Sequence, residues 1–205
     1  MMKTNGLNTL RTLLIMTAFL LVGMAVAFYF RPQPVDERIA LGESLGGEFN
    51  LQTSEGPLKL SDLAGNAVVL YLGYTNCPDV CPTGLAVLSQ GIHGLSPEEQ
   101  AQVRGVFMSV DPARDSLDTL KQYAAFFHPN IFGATADRAE IDRVVKRYGG
   151  FYRIGEDTGS AAGYAVDHSS RLYLINKQGK LVSTLMHSST PADVTAGLRE
   201  ILNNG

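Results

Sequence analysis

The sequence predicts an α/β domain: a mixed sheet with helices on both faces, an N-terminal β-hairpin, and one N-terminal transmembrane helix ahead of it. Three observations carry this. Ala67 to Leu72 is an unbroken run of apolar residues, which fits a strand buried on both faces. Strand-like and helix-like segments then alternate, so the sheet begins with parallel pairing. Leu172–Ile175 and Leu181–Leu185 flank the polar turn Asn176–Gly179, so a hairpin adds antiparallel strands at the end.

The elements follow in order. Thr12 to Phe30 holds 19 residues without a charge, bracketed by Arg11 and Arg31. As a helix it spans about 28 Å, close to the hydrocarbon thickness of a bilayer. Lys3, Arg11 and the terminal amine favour a cytoplasmic N-terminus, with the rest of the chain on the periplasmic or extracellular side. Ala25-Val26-Ala27 leaves a cleaved signal peptide open as the alternative. The organisation is therefore a tail over 1–11, an anchor over 12–30, a Pro-containing linker over 31–42 and one domain over 43–205. Gly46 to Lys59 reads as a hairpin, and Ser61 to Asn66 as a turn. After the Ala67–Leu72 strand and a cysteine loop comes a helix from Pro82 to about Gly91. Ser96-Pro97-Glu98-Glu99 is a capping box with Pro at the first helical position. Val103–Val110 is a strand. Leu117, Leu120, Ala124 and Phe127 mark one helix face, and Ile141, Val144, Val145 and Tyr148 another, with a short strand at Ile131–Ala134 between them. Gly149 to Val166 is Gly-rich, lacks helical period and reads as mostly loop. Thr190-Pro191 caps a last helix.

Composition sets limits on function. The chain has 205 residues, no Trp and a net charge of −3. From Pro32 onward, 14 basic residues face 20 acidic ones. No basic stripe appears, which argues against nucleic acid. Two cysteines allow one bridge or one redox pair.

Both cysteines lie in Gly73-Tyr74-Thr75-Asn76-Cys77-Pro78-Asp79-Val80-Cys81-Pro82. Residues before proline avoid the α region, so neither cysteine should lie mid-helix. Pro82 at the first helical position puts Cys81 at or near the N-cap, and Pro78-Asp79 suits a turn folding Cys77 back toward it. A helix N-terminus favours thiolate. Two such sulfurs can close a disulfide or hold a soft metal such as Cu(I). Of the histidines His93, His128, His168 and His187, only His168 has suggestive surroundings, the polar loop Tyr164 to Ser170. Taken alone, His168 reads first as a surface or hydrogen-bonded residue, and only second as a ligand. His93 sits near a helix end, His128 reads as a helix stop, and His187 is a second candidate. Met186 is a conceivable soft ligand, and Met108 reads as core. Asp111-Pro112-Ala113-Arg114-Asp115 reads either as a turn with Asp115 or Ser116 as N-cap, or as polar support beside the thiols.

Three motifs together carry a resemblance: Gly73 to Pro82, Ser109-Val110-Asp111-Pro112-Ala113-Arg114-Asp115, and Val166-Asp167-His168-Ser169. From about Glu43 on, the chain resembles the Sco/SenC family of membrane-anchored, thioredoxin-like copper-binding proteins that help assemble cytochrome c oxidase. The resemblance implies a thioredoxin-like fold and copper, as Cu(I) or Cu(II), on Cys77, Cys81 and His168. It implies a Cys77–Cys81 disulfide when oxidised. As partners it implies the copper-centre subunit of the oxidase, and another copper chaperone or a thiol reductant. Copper delivery and reduction of the partner's cysteines both remain open. Ligands must lose protons, so affinity should fall in acid. A general thiol–disulfide oxidoreductase is the rival. Against it, the spacing exceeds the thioredoxin Cys-x2-Cys by one residue, and Ala161 to Ser170 contains no proline. A thiol peroxidase is discounted, because Tyr74 stands where that pattern has Thr or Ser.

Overall fold

A computed structural model describes residues 5–29, 45–156, 159 and 163–204. Two compact units, 1–40 and 41–205, are taken separately.

The first unit contains helix α1, Asn5–Tyr29. Its described side chains are exposed all round, Leu13 at 56% and Phe19 at 74% among them. Among the described residues no helix is long and apolar enough to cross a membrane. The expected anchor runs to Phe30, and its side chains beyond Met24 lie outside the described set. The expected tail falls partly outside it, and residues 31–42 wholly so.

The second unit opens with the expected hairpin, β1 (Asn50–Thr53) paired antiparallel with β2 (Gly56–Lys59). Leu60–Leu63 form one turn of 3-10 helix where the sequence reads as a turn. Then come β3 (Ala67–Gly73), α2 (Val80–His93), α3 (Pro97–Gln100), β4 (Val103–Ser109), α4 (Leu117–Phe127), β5 (Ile131–Ala134) and α5 (Arg138–Arg147). The chain closes with β6 (Tyr152–Ile154), β7 (Val166–His168), β8 (Arg171–Ile175), β9 (Leu181–Met186) and α6 (Pro191–Asn203). The main sheet has strand order β5-β4-β3-β8-β9. β3–β4 and β4–β5 are parallel, and β3–β8 and β8–β9 antiparallel, which is the mixed, thioredoxin-like pattern.

β3 is central because every residue in it is apolar or glycine, and all seven are buried. Tyr71 and Phe107 face α2 and α4, where Phe107 meets Tyr123 at 5.3 Å between ring centroids. α6 packs on the same face, and Thr195 Oγ1 donates to Gly91 O of α2 at 2.8 Å. The alternate residues face the other way. There Tyr148, the C-cap of α5, meets Tyr173 of β8 at 5.7 Å, so α5 covers the opposite face.

Three sequence expectations need correction. α2 begins at Val80, so Cys81 is its second residue rather than its N-cap, which is Asp79. The first-turn N–H groups of a helix lack intrahelical partners, so Pro82 removes no bond there and the helix can start before it. The hydrogen-bonded turn lies at Tyr74–Cys77, with Cys77 N donating to Tyr74 O, and Pro78-Asp79 form a bend after it. Finally, the reading of Gly149–Val166 as mostly loop missed a short ribbon. β6 and β7 pair antiparallel there, and His168 ends a strand opposite Tyr152. Three-residue strands are too short to announce themselves by alternation.

Candidate metal centre

β3 delivers the chain to the carboxyl edge of the sheet, the usual position of sites in α/β folds. Val110 N donates to Gly73 O, which extends the parallel pairing to that rim. The turn at Tyr74–Cys77 then reverses the chain, and α2 carries Cys81 back beneath it. Cys81 N lies 3.4 Å from Cys77 Sγ, so the first turn of the helix offers its N–H to the sulfur. Both thiols are free, with Cys77 7% exposed and Cys81 fully buried.

His168 comes from across the sheet edge. Its Nε2 lies 3.3 Å from Cys81 Sγ. One ligand atom from each of Cys77, Cys81 and His168 fits within 4.8 Å of the others. The ring's Nδ1 lies 3.1 Å from Ser169 O. A carbonyl only accepts, so Nδ1 carries a proton, and Nε2 is the ring nitrogen turned toward the sulfurs. The two thiols are driven apart electrostatically. Cys77 is pushed well down, chiefly because its thiolate accepts from the Cys81 thiol, with His168 and backbone N–H groups adding to this. Cys81 is pushed up, because its proton serves Cys77 and because it is buried. The result is two sulfurs of unlike acidity and one imidazole nitrogen grouped about a common point. Such a set can take a soft metal ion once its protons leave, or it can exchange with a disulfide.

The Asp111–Asp115 segment sits beside both halves. Asp115 does not cap α4; Ser116 does. Asp115 is instead buried and accepts from Thr75 N at 3.0 Å, from Thr75 Oγ1, and from Ser109 Oγ at 2.6 Å. A buried carboxylate needs such donors, and two of the three it takes belong to Thr75 of the cysteine loop. Asp111, fully buried, pairs with Arg114 Nε at 2.5 Å. The Arg114 guanidinium lies 3.7 Å from the Tyr164 ring centroid and 5.5 Å from that of Tyr74.

A cleft of about 750 Å³ opens over the site, lined by Tyr74, Cys77, Pro78, Val80, Phe151 and His168 among others. The remaining histidines are occupied elsewhere. His187 Nδ1 lies 3.2 Å from Ser170 Oγ, and the His93 and His128 rings meet edge-on at 4.7 Å. Met108 is buried in the core, and Met186 ends β9. Sequence reasoning gave no role to Thr75 or Tyr164. Their partners lie 40 and more residues away, and no local periodicity encodes that.

A family model described as SCO1/SenC matches residues 38–203. Protein SCO2, mitochondrial, of Saccharomyces cerevisiae is 36% identical over 159 residues, 77% of this chain and 52% of that protein, so the chain spans about half that relative's length. The structure of Bradyrhizobium japonicum ScoI with copper bound is 33% identical, with a TM-score of 0.69 over 77% of this chain and 99% of that one. BsSco is described as carrying a disulfide switch and as a member of the Sco family of cytochrome c oxidase assembly proteins. It superposes with a TM-score of 0.61 at 22% identity over 80% of this chain and 96% of its own, which speaks for the fold.

Proposed function

The chain belongs to the SCO1/SenC family, and on that premise we propose that it is a copper-handling assembly factor for the copper centre of cytochrome c oxidase. Copper is the cargo. Cys77, Cys81 and His168 are its ligands, and the copper-centre subunit of the oxidase is the recipient. The observation that carries this reading is the close grouping of two sulfurs and one imidazole nitrogen, all within 4.8 Å. Ligands around one metal with bonds of about 2.0–2.3 Å lie roughly 3.5–4 Å apart, so closure needs shifts of about 1 Å or less. Two thiolates suit Cu(I), and the imidazole serves Cu(II) as well. Three protein ligands leave the ion accessible through the cleft above it.

The same dithiol supports reduction of the recipient's cysteines. Cys77, the lower of the two in pKa and the more exposed, attacks one sulfur of a partner disulfide. Cys81 then resolves the mixed disulfide, releasing two partner thiols and leaving a Cys77–Cys81 bridge. A general exchanger is less well supported, because His168 Nε2 stands 3.3 Å from Cys81 Sγ and completes a three-donor metal set that plain exchange does not need.

Thr12–Phe30 serves as a single membrane anchor, with residues 1–11 in the cytoplasm, 31–42 as a linker and the domain over 43–205 on the periplasmic or extracellular side. What supports this is the charge-free apolar run and the exposed apolar side chains of α1. The deciding experiment is copper titration of the reduced protein followed by X-ray absorption. The expected result is one bound copper with two sulfur neighbours and one imidazole nitrogen. A copper shell without sulfur would remove the reading.

A further inference from the structure

The β4–α4 loop touches both halves of the site, and it does so through separate residues. Asp115 reaches the cysteine loop by two hydrogen bonds from Thr75, and a third, from Ser109 Oγ, ties it to the end of β4. Asp111 and Arg114 turn the other way, toward the segment that enters β7. Arg114 Nη1 donates to Tyr164 O at 2.8 Å, and Tyr164 OH donates to Asp111 Oδ1 at 2.8 Å. The guanidinium carbon lies over the Tyr164 ring and within reach of the Tyr74 ring. Tyr74 continues the contact: its hydroxyl accepts from Val166 N at 3.4 Å, and its ring meets the His168 ring edge-on at 5.7 Å. Val166 and His168 are the two ends of β7, so the clamp grips the strand on which the imidazole rides.

That strand is only three residues long, with Val166 buried in the core and His168 at the half-buried end. β6 and β7 form a separate two-stranded sheet, outside the five-stranded one. A two-stranded ribbon of three residues a side is marginal by itself. Its exposed Arg153–Asp167 ion pair adds little. Ser169 N donates to Phe151 O and Phe151 N to Ser169 Oγ, which close the ribbon on itself rather than onto the sheet. Two sets of contacts tie this ribbon to the body: Tyr152, opposite His168, is held by Arg138 and Asp142 of α5, and the strand that carries His168 is held by Arg114, Tyr164 and Tyr74.

We propose that Arg114 and Tyr164 are positioning residues for His168: the stacked Arg114–Tyr164–Asp111 clamp sets the imidazole against the sulfurs, and Asp115 independently sets the thiols. This rests on the copper reading above. One loop thus registers two ligand groups that lie 87 residues apart. The clamp acts on the nitrogen donor alone, so it governs Cu(II), which needs the imidazole, and leaves a dithiolate Cu(I) site largely intact. Residues supporting a metal ligand change affinity by about 10- to 100-fold when replaced.

The test uses the full-length reduced protein in detergent with Tyr164→Leu, Arg114→Lys and Asp115→Asn. Arg114→Lys keeps a cation beside the buried Asp111 carboxylate but loses the planar stack and the fork to Tyr164 O. Tyr164→Leu keeps the Asp111–Arg114 pair. Each is titrated separately with Cu(I) and Cu(II) against competing chelators, and the Cu(II) forms are read by electron paramagnetic resonance for nitrogen coupling. Expected for both clamp variants is a fall in Cu(II) affinity of about tenfold or more, weakened nitrogen coupling, and Cu(I) affinity within about threefold of the parent. Asp115→Asn is expected to do the reverse, weakening Cu(I). Tyr164→Phe, which keeps the ring and loses only the hydroxyl, should restore most of the Cu(II) affinity. Clamp variants with parental Cu(II) affinity and nitrogen coupling overturn the proposal. So do clamp variants that weaken both oxidation states equally, which would make the loop a general scaffold. If the parent protein binds no copper, it is the assembly-factor reading that fails. Backbone ¹⁵N relaxation at His168 in the metal-free protein gives an independent readout: unchanged order in Arg114→Lys also overturns the clamp, whatever copper does.

Discussion

Gly73→Ala adds one methyl group at the tightest point of the site. Gly73 ends β3 on the face that meets α2. A Cβ there would stand 2.6 Å from Cys81 Sγ, 2.6 Å from Phe107 Cε2 and 3.2 Å from Phe107 Cζ. Ordinary contacts are about 3.5–4.0 Å, so sulfur and ring must each retreat by roughly 1 Å. Neither has free space: Cys81 and Phe107 are fully buried, and Phe107 is packed against both Tyr71 and Tyr123. Overpacking of this kind costs about 1–3 kcal/mol. Gly73 is not one of the glycines with positive φ, so alanine suits its backbone and offsets about 0.4–1 kcal/mol by restricting the unfolded chain. The net expectation is a loss of about 0.5–2 kcal/mol, or a few degrees in Tm for a domain of this size. The displaced sulfur is also a proposed ligand, so Cu(I) affinity should fall by about tenfold or more. Urea denaturation of the reduced, metal-free protein measures the first effect, and chelator competition the second. An alanine variant with parental stability and parental Cu(I) affinity would refute the crevice argument, because it would mean that Cys81 Sγ does not close that space.

His168→Ala should cut Cu(II) affinity by well over tenfold while shifting Tm by only a few degrees, since the ring is half-buried and at the end of a short strand; circular dichroism melts alongside Cu(II) titration check it, and unchanged affinity would remove the imidazole from the ligand set. Cys77→Ser should abolish tight Cu(I) binding, and near-parental affinity in chelator competition would leave only a redox role for the pair. Stability should fall in mild acid through His128. Burial, and then the neighbouring His93, hold its pKa below the ordinary value, so the unfolded chain takes up a proton that the folded one refuses. This contribution is therefore complete above about pH 6.5 and is lost as pH falls toward the folded-state pKa. His128→Gln should flatten the loss of unfolding free energy between pH 7.5 and 5.5, and equal slopes in parent and variant would contradict it. Deleting Thr12–Phe30 should move the protein from the membrane pellet to the soluble fraction after carbonate washing, and retention in the pellet would refute the anchor.

Much of the fold was legible because its signals are local. Six consecutive apolar residues cannot be satisfied on one face of a sheet, so Ala67–Leu72 had to be central. Ser96 and Thr190 cap their helices as their spacing to Glu99 and Asp193 foretells, since a capping box is closed within one turn. The start of α2 was placed two residues late, because a proline in the first turn of a helix forfeits no bond and so marks no boundary.

The sequence by itself determined the donor types, the pair of sulfurs on one loop, and the sheet edge at which that loop must emerge. These follow from residue chemistry and from periodicity over a few residues. Only the tertiary structure decided that His168 meets Cys81, that Asp115 serves the cysteine loop rather than a helix end, and that Arg114 lies over the Tyr164 ring and within reach of Tyr74. The physical reason is that such contacts join segments 40 to 90 residues apart. They are fixed by strand order and by the need of buried charges for partners, and neither leaves a mark in any short stretch of chain.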